Sequence, residues 1–584
     1  MSIRVLAASA STALLALSLL APPAHSRDPA PPVKVPVATG HGGAVSTVDL
    51  DASKVALSVL REGGNAVDAA VAAAAALGVT EPYSAGLAGG GFLVYYDAKR
   101  RKVFTIDGRE TAPRAMTASS LEGIPFNEAV TSGLSAGVPG SVAQWDLALR
   151  RHGTISLRRA LEPAARLADE GFTVDTTFHA QTSANAARFK DISSTAALYL
   201  PGGAPPPVGS TFRNPDLART YRELARRGPS WLYGGSLGSE IVRTVKSPPV
   251  VPGSTRVVRP GLMELSDLSS YRALRRPAVK TSYQGLDVYG MAPPSSGGST
   301  VGEALNILQV LPSVGLHQYL EASRLAFADR NRYIGDPASV EVPLAELLSD
   351  GFAKERACLI GDRAMPHPAA PGSPDGSYTP CPTGPPAGKG TSEAPEGPET
   401  THLVVADRHG NVVAYTNTIE STGGNAIVVP GRGFLLNNEL TDFTFGPAPG
   451  DPNLPGPGKR PRSSMSPTIV LKDGKPLLAV GSPGGATIIT TVLQILVNRL
   501  DFGMALPEAL AAPRASQRNT PATQAEQGFI DRYGAELTAK GHTFTLTPEI
   551  GAATALEFLG GGKVQAVAEP TRRGGGSALV VISK

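Results

Sequence analysis

Nine of the 33 residues from His367 to Glu399 are proline, and the 19 that follow form a sharply patterned β-hairpin. So much proline forbids helix and sheet ladder alike, because each ring locks φ and removes a backbone donor. The chain must therefore break here, where a stretch that cannot pack meets one that pairs readily. The hairpin runs Thr400-Thr401-His402-Leu403-Val404-Val405-Ala406, turns through Asp407-Arg408-His409-Gly410 and returns as Asn411 to Thr418. A hydroxyl residue at this junction has a particular chemical option. If the chain is cut before Thr400, its own α-amine becomes the base for its own hydroxyl, the N-terminal-threonine form of nucleophilic catalysis. Paired threonines opening a strand are also ordinary β-formers, so the surrounding residues must decide.

A chain of 584 residues can bury a large core, as one αβ unit or as two to four domains. Its 65 glycines and 52 prolines imply many turns. A net charge of +4 with interspersed signs, and only 5% aromatic residues, speaks against a nucleic-acid groove, which needs a basic stripe and stacking rings. Arg4, the apolar run Val5 to Ala21 and Ala24-His25-Ser26 read as a secretory signal over residues 1–26. Its removal takes the charge from +4 to +3. The run is too short to span a bilayer, and no cysteine near the cleavage point offers a lipid anchor. The expectation is a secreted protein, extracellular or periplasmic, with no stable membrane anchor. The two cysteines, Cys358 and Cys381, would close a 24-residue loop in an oxidising compartment, and two unpaired thiols fit equally well. Nine scattered histidines, with neither H-E-x-x-H nor C-x-x-C, give no metal site. No cofactor is expected.

Local patterns place the remaining elements. Asp51 is positioned to cap a helix carrying Val55, Leu57 and Leu60 and stopped by Gly63-Gly64; residues 27–40 read as an extended leader before it. Asn65 caps a second helix, Ala66 to Leu77, apolar on nearly every side and hence buried. A glycine-rich run, Ser84 to Gly91, precedes a strand at Phe92 to Tyr96, and its hairpin partner Lys102 to Ile106 delivers Asp107-Gly108-Arg109. Helices dominate from Ser141 to Ser349. Beyond Thr400 the pattern turns β-rich, with strands at Pro467 to Leu471, Leu477 to Gly481 and Ala578 to Ile582 and a long helix from Ala486 to Leu500. The result is an α/β protein with paired antiparallel sheets between helical layers.

Several residues suit one chemistry. The planar fork of Arg109 fits two-point contact with a carboxylate, or equally a surface salt bridge. Glu420, Glu439 and Asp442 follow closely on the hairpin and would together hold an ammonium group, or serve as solubility charges. Ser463 and Ser464 offer hydroxyls to a carboxylate, as ordinary turns also do. Gly484-Gly485, between strand and helix, can aim backbone N–H groups at an oxyanion, though any strand–helix turn uses glycine. Gly133-Leu134-Ser135-Ala136-Gly137 fits the serine-hydrolase elbow, but Val138-Pro139-Gly140 stands where the helix must start, so the match is coincidental.

In order along the chain, these blocks resemble the γ-glutamyltransferases, a branch of the N-terminal-nucleophile hydrolases. The resemblance runs from about residue 36 to the C-terminus. Its carriers are Gly63 to Ala70, Gly86 to Phe92, Asp107-Gly108-Arg109-Glu110, Gly137-Val138-Pro139-Gly140, Pro293 to Gly298 and Ala328-Asp329-Arg330. The most specific are Thr400-Thr401-His402, Leu435-Leu436-Asn437-Asn438, Arg460 to Pro467 and Gly484-Gly485.

The resemblance implies a precursor that cuts itself before Thr400. It would give a large subunit, 27–399, ending in the Pro-rich linker 367–399, and a small catalytic one, 400–584. The two would stay together as a heterodimer in a four-layer αββα sandwich. By the same resemblance Thr400 is the nucleophile, Thr418 hydrogen-bonds it, and the Gly484 and Gly485 N–H groups hold the oxyanion. Arg109, Ser463 and Ser464 would bind the glutamyl α-carboxylate; Glu420, Glu439 and Asp442 would bind its α-ammonium. Donors would be γ-glutamyl compounds such as glutathione, and acceptors water or the amine of an amino acid or peptide. Two departures stand out. Many family members have Asn where Glu420 stands, so this ammonium pocket is more acidic. The 20 residues from Phe443 to Arg462 contain no tyrosine and look too short for the lid of many relatives. A mouth more open to water is expected, favouring hydrolysis and bulky donors such as γ-linked polyglutamate. The competing readings are a cephalosporin (glutaryl) acylase on the same scaffold and an unprocessed, non-catalytic binding protein.

Overall fold

The computed structural model describes residues 33–379, 381, 399–446 and 450–583. The secretory segment and most of the Pro-rich linker read from the sequence lie outside these residues. The first helix, Leu50–Arg61, is capped by Asp49, not Asp51; the Asp49 carboxylate accepts the Ala52 N–H at 2.8 Å. Asp49 has the extended backbone that a cap needs, while Asp51 lies in the first turn, where its charge still favours the helix N-terminus. Asn65 caps the second helix, Ala66–Thr80, in a reciprocal capping box with Asp68, and every residue of that helix is buried.

One 13-stranded sheet organises the molecule. The hairpin that follows Thr400, Thr401–Asp407 and Val412–Thr418, lies inside it, flanked by Val37–Thr47 on one side and Gly90–Asp97 on the other. All of its strand pairings are antiparallel. Alternation along the hairpin splits its side chains between two cores. Leu403, Val405, Val413 and Tyr415 pack with the helices Leu50–Arg61 and Ala66–Thr80. Val404, Ala406, Val412 and Ala414 face Ile469, Val480 and Leu556 and share a core with Gly297–Val310, Leu316–Tyr333 and Thr487–Leu500.

The sheet also curls over itself. His402 abuts Gly481 on the strand Lys475–Gly481, with three strands between them in the order; a Cβ at Gly481 would fall 2.2 Å from the imidazole. The Thr554 hydroxyl donates to the His402 carbonyl at 3.4 Å across the same gap. The result is an α/β fold with a curled antiparallel sheet.

Two parts differ from the sequence reading. Residues 37–40, taken as leader, begin an 11-residue strand, Val37–Thr47, that pairs with Lys563–Ala568, Ser577–Ser583 and Thr401–Asp407. A bulge between His41 and Ala44 breaks its alternation, which hid it. The helix-rich middle also contains a hairpin, Val279–Tyr283 with Leu286–Gly290, that extends the sheet edge. Cys358 and Cys381 are joined in a disulfide.

Candidate active site

Thr400 sits at the start of its strand, 3% exposed, and its hydroxyl donates to the carbonyl oxygen of Glu399, the residue before it. It also lies 3.3 Å from the Thr418 hydroxyl, which itself reaches the Glu399 carbonyl at 3.3 Å. The hairpin register accounts for this: Asn417 pairs with Thr401, so Thr418 falls beside Thr400. The Glu420 N–H donates to Thr418 Oγ1 at 2.9 Å and fixes that hydroxyl. Two hydroxyls thus converge on one peptide carbonyl, the one ahead of the threonine.

Beside them lies a small cavity of about 20 Å³ lined by Arg109, Glu399, Thr418, Glu420, Glu439, Asp442, Ser463, Ser464 and Gly485. All the residues singled out from sequence meet there except Gly484, which faces a neighbouring cavity. Glu439–Asp442 is a single 3₁₀ turn, and its three-residue repeat stacks the two carboxylates on one side. Arg109 meets both: it pairs with Glu439, and its Nη2 lies 2.5 Å from Asp442 Oδ2. Its remaining donors reach the Pro461 and Arg462 carbonyls at 3.1 and 2.8 Å. The cation and two of the acids assigned to opposite ends of one ligand therefore hold each other. Glu399 and Glu420 also line the cavity, but the Glu399 carboxylate is paired with Arg573, and Arg330 reaches the lining at Ser464.

The asparagines of the Leu435 to Asn438 block explain that block. Asn437 donates to the Ala88 and Gly137 carbonyls at 2.7 and 2.9 Å and accepts from the Gly137 and Glu439 N–H groups, tying two glycine segments to the acidic turn. Asn438 donates to Glu420, whose φ of +76° turns its side chain into the site. Ser464 accepts from Arg330 Nη2 at 2.7 Å and Ser463 from the Met465 N–H at 3.2 Å, so each hydroxyl keeps its proton for another acceptor. Gly484 and Gly485 have φ of +133° and +54°. Their N–H groups meet no acceptor among the described residues, while their carbonyls accept from Thr487 and Ile488. Free N–H groups at a helix start are what an oxyanion requires.

Sequence reasoning gave no role to several neighbours. Arg330 was read only as part of a block. Arg573 had no signal at all, yet its Nη1 donates to the Thr400 carbonyl at 2.7 Å and its Nη2 pairs with Glu399 at 2.9 Å. Burial holds Glu110, next to Arg109, up at about 8, and neither of its oxygens has a hydrogen-bond partner among the described residues. Burial pushes His402 down to about 3, and its Nδ1 meets the Thr416 hydroxyl at 2.7 Å; it is a neutral packing residue. Ser135 of the elbow-like motif donates its hydroxyl to the Ser132 carbonyl, within a 3₁₀ turn.

The chain matches the family model described as Gamma-glutamyltranspeptidase over residues 52–579. It is 37% identical to the glutathione hydrolase proenzyme of Bacillus subtilis (strain 168), across 96% of this chain and 97% of that protein. It is 35% identical to the glutathione hydrolase proenzyme of Escherichia coli (strain K12), across 94% of each. Among solved structures, the cephalosporin acylase of Bacillus halodurans superposes with a TM-score of 0.81 at 27% identity, over 94% of this chain and 97% of that one. With the family model spanning most of its length and these relatives aligned nearly end to end, the chain belongs to the γ-glutamyltranspeptidase family.

Proposed function

We propose that this enzyme is a γ-glutamyl transferase and glutathione hydrolase that first processes itself. Thr400 Oγ1 attacks the Glu399 carbonyl carbon, the C–N bond breaks, and the acyl group moves to the hydroxyl as an ester. Water then hydrolyses the ester, leaving Glu399 with a carboxylate and Thr400 with a free amine. That amine takes the Thr400 hydroxyl proton when the same oxygen attacks the γ-carbonyl of a donor. The Gly484 and Gly485 N–H groups hold the oxyanion, and the proton passes to the leaving amine. Water or an acceptor amine then releases the glutamyl group.

The observation that carries the reading is the gathering of Glu420, Glu439 and Asp442 with Arg109 in the space beside Thr400. Such a space favours a ligand that brings an ammonium group. Arg109 and the Ser463 and Ser464 hydroxyl protons would take the ligand's α-carboxylate. The two cores and the curled sheet support the four-layer reading, and the convergence of Thr400 and Thr418 on the Glu399 carbonyl supports subunits 27–399 and 400–584. No described residue from 443 to 462 lines the cavity, in keeping with a mouth open to water. Among the described residues no helix is long and apolar enough to cross a membrane; with residues 1–26 read as a signal, export follows.

The test is turnover of γ-glutamyl-p-nitroanilide against glutaryl-p-nitroanilide, which lacks the α-amine, together with a denaturing gel. The γ-glutamyl compound is expected to be strongly preferred. Two fragments should appear, the smaller beginning at Thr400. Thr400→Ala should leave one uncut chain and lower turnover on the order of 10⁶-fold. Preference for the glutaryl compound would favour an acylase, and full activity of an uncut chain would remove Thr400 from its role.

A further inference from the structure

The side chain of Glu399 is held like a bound ligand. Its Oε2 accepts from Arg573 Nη2 at 2.9 Å, Ser84 Oγ at 3.3 Å and Gln181 Nε2 at 3.5 Å. Arg573 Nη2 also reaches Ser84 Oγ at 2.8 Å and Glu81 at 3.4 Å, so the donors are braced against one another. Burial pushes Glu81 up to about 7, which limits how far it neutralises the arginine. Arg573 itself is set in place by a left-handed backbone (φ +53°), by its N–H to Glu549 at 3.0 Å and by its carbonyl, which accepts from Thr177. Three side-chain donors from three distant parts of the chain thus meet on one carboxylate oxygen.

This cradle opens on a cavity of about 370 Å³, on the far side of the Gly484-Gly485 loop from the small pocket. Its walls include Glu399, Gly484, Arg518, Glu549 and Arg573. While the chain is uncut, two acids and two cations balance there. Cleavage after Glu399 severs the peptide link that holds this residue against Thr400. If its carboxylate withdraws, the Arg573, Ser84 and Gln181 donors lose the oxygen they share.

Resting on the γ-glutamyl reading above, we propose that the Arg573–Ser84–Gln181 cradle is a binding site for the C-terminal carboxylate of the peptide that leaves from, or attacks, the acyl-enzyme. Glu399 occupies it as an internal stand-in until cleavage. The ligand class is a short peptide with a free α-carboxylate, of which the dipeptide part of glutathione is one. The glutamyl group fills the pocket on one side of the glycine loop, and the peptide lies on the other, its carboxylate against Arg573.

The test compares glutathione with its C-terminal amide as donors for the mature, unmutated enzyme, with release of glutamate as readout. The expected result is a kcat/KM for glutathione about 10- to 100-fold above that for the amide, the range of a charge-assisted contact. In Arg573→Gln that preference should collapse. Ser84→Ala, which removes one neutral donor, should reduce it a few-fold and keeps the question open to test if Arg573→Gln is not cut. Equal turnover of the two donors by the unmutated enzyme overturns the proposal, as does a preference that survives in both variants. γ-Glutamyl-p-nitroanilide, whose leaving group carries no carboxylate, separates the two levels. If it is not turned over, the γ-glutamyl reading itself fails. If it is turned over while glutathione and its amide behave alike, only the cradle fails.

Discussion

The two cavities that meet at the Gly484-Gly485 loop differ in almost every physical respect. The one beside Arg109 has about 20 Å³ of space, room for about one water, and its cation is spent on its own acids. The one beside Arg573 has about 370 Å³, within the range of small-molecule sites. In the first, charged groups are buried against each other, which demands close geometry and resists rearrangement. In the second, the cation reaches the Glu399–Thr400 junction through the Glu399 side chain and the Thr400 carbonyl. The contrast teaches that a pocket can be organised and still filled by its own charges. A ligand at Arg109 must insert into an existing ion-pair network, whereas one at Arg573 would take the place of the Glu399 carboxylate while Glu81 and the Thr400 carbonyl stay on the guanidinium.

The sharpest way to break this contrast is Arg109→Lys. Lysine keeps the charge but loses the fork that reaches both acids and two carbonyls. We expect kcat/KM for γ-glutamyl-p-nitroanilide to fall about 10³-fold and unfolding stability to drop by about 3 kcal/mol, as when a buried pair is broken. Steady-state kinetics and urea titration measure the two effects; a fully active variant would mean that this pocket does not depend on the guanidinium. A smaller effect is expected at the partition itself. In Gly484→Ala the new Cβ would sit 2.5 Å from the Thr487 hydroxyl, on a backbone with φ of +133°. Its kcat should fall about 10²-fold, the usual consequence of a misplaced oxyanion donor, with little change in KM. A loss confined to KM would instead assign this glycine to ligand binding.

The smallest effect at neutral pH belongs to a site remote from both cavities. His317 Nδ1 and His542 Nε2 lie 2.8 Å apart in the core, facing Glu321, whose carboxylate is 3.9 Å from His542, and Arg324 and Lys540. Burial, aided by these cations and by His317, pushes His542 down to about 4. Its folded value lies below the ordinary histidine value, so the unfolded chain binds more protons between about pH 4 and 6.5. The stability it contributes is complete above that window and is lost as pH falls through it, by about 3 kcal/mol in all. Urea midpoints at pH 4.5 and 7 should therefore diverge less in His542→Gln than in the unmutated protein, with neutral-pH kcat/KM within about twofold. An unchanged pH dependence would show that this pair does not titrate on unfolding.

Legibility followed range. The Asn65 cap acts within its own helix start, and the hairpin's apolar run from Leu403 to Ala406 ends at the turn Asp407 to Gly410, so both were readable. The strand Val37–Thr47 was not, because its bulge erased the period and its three partners lie far along the chain. The Asp51 cap missed by two residues, since two aspartates at the same helix start differ only in backbone conformation. In the site, the identities of Thr400, Arg109 and the three acids could be picked out, but not their pairing with one another.

By itself the sequence determined where the Pro-rich stretch gives way to a hairpin, which hydroxyl opens that hairpin, and which blocks relate it to a family, because these are properties of neighbouring residues and their order. Tertiary structure alone decided that Arg109 spends its fork on Glu439 and Asp442, some 330 residues away. It alone also decided that Arg573 closes on Glu399. The physical reason is that a charge selects its partner by distance and desolvation, and both are set only when the sheet curls and brings remote segments within a few ångströms.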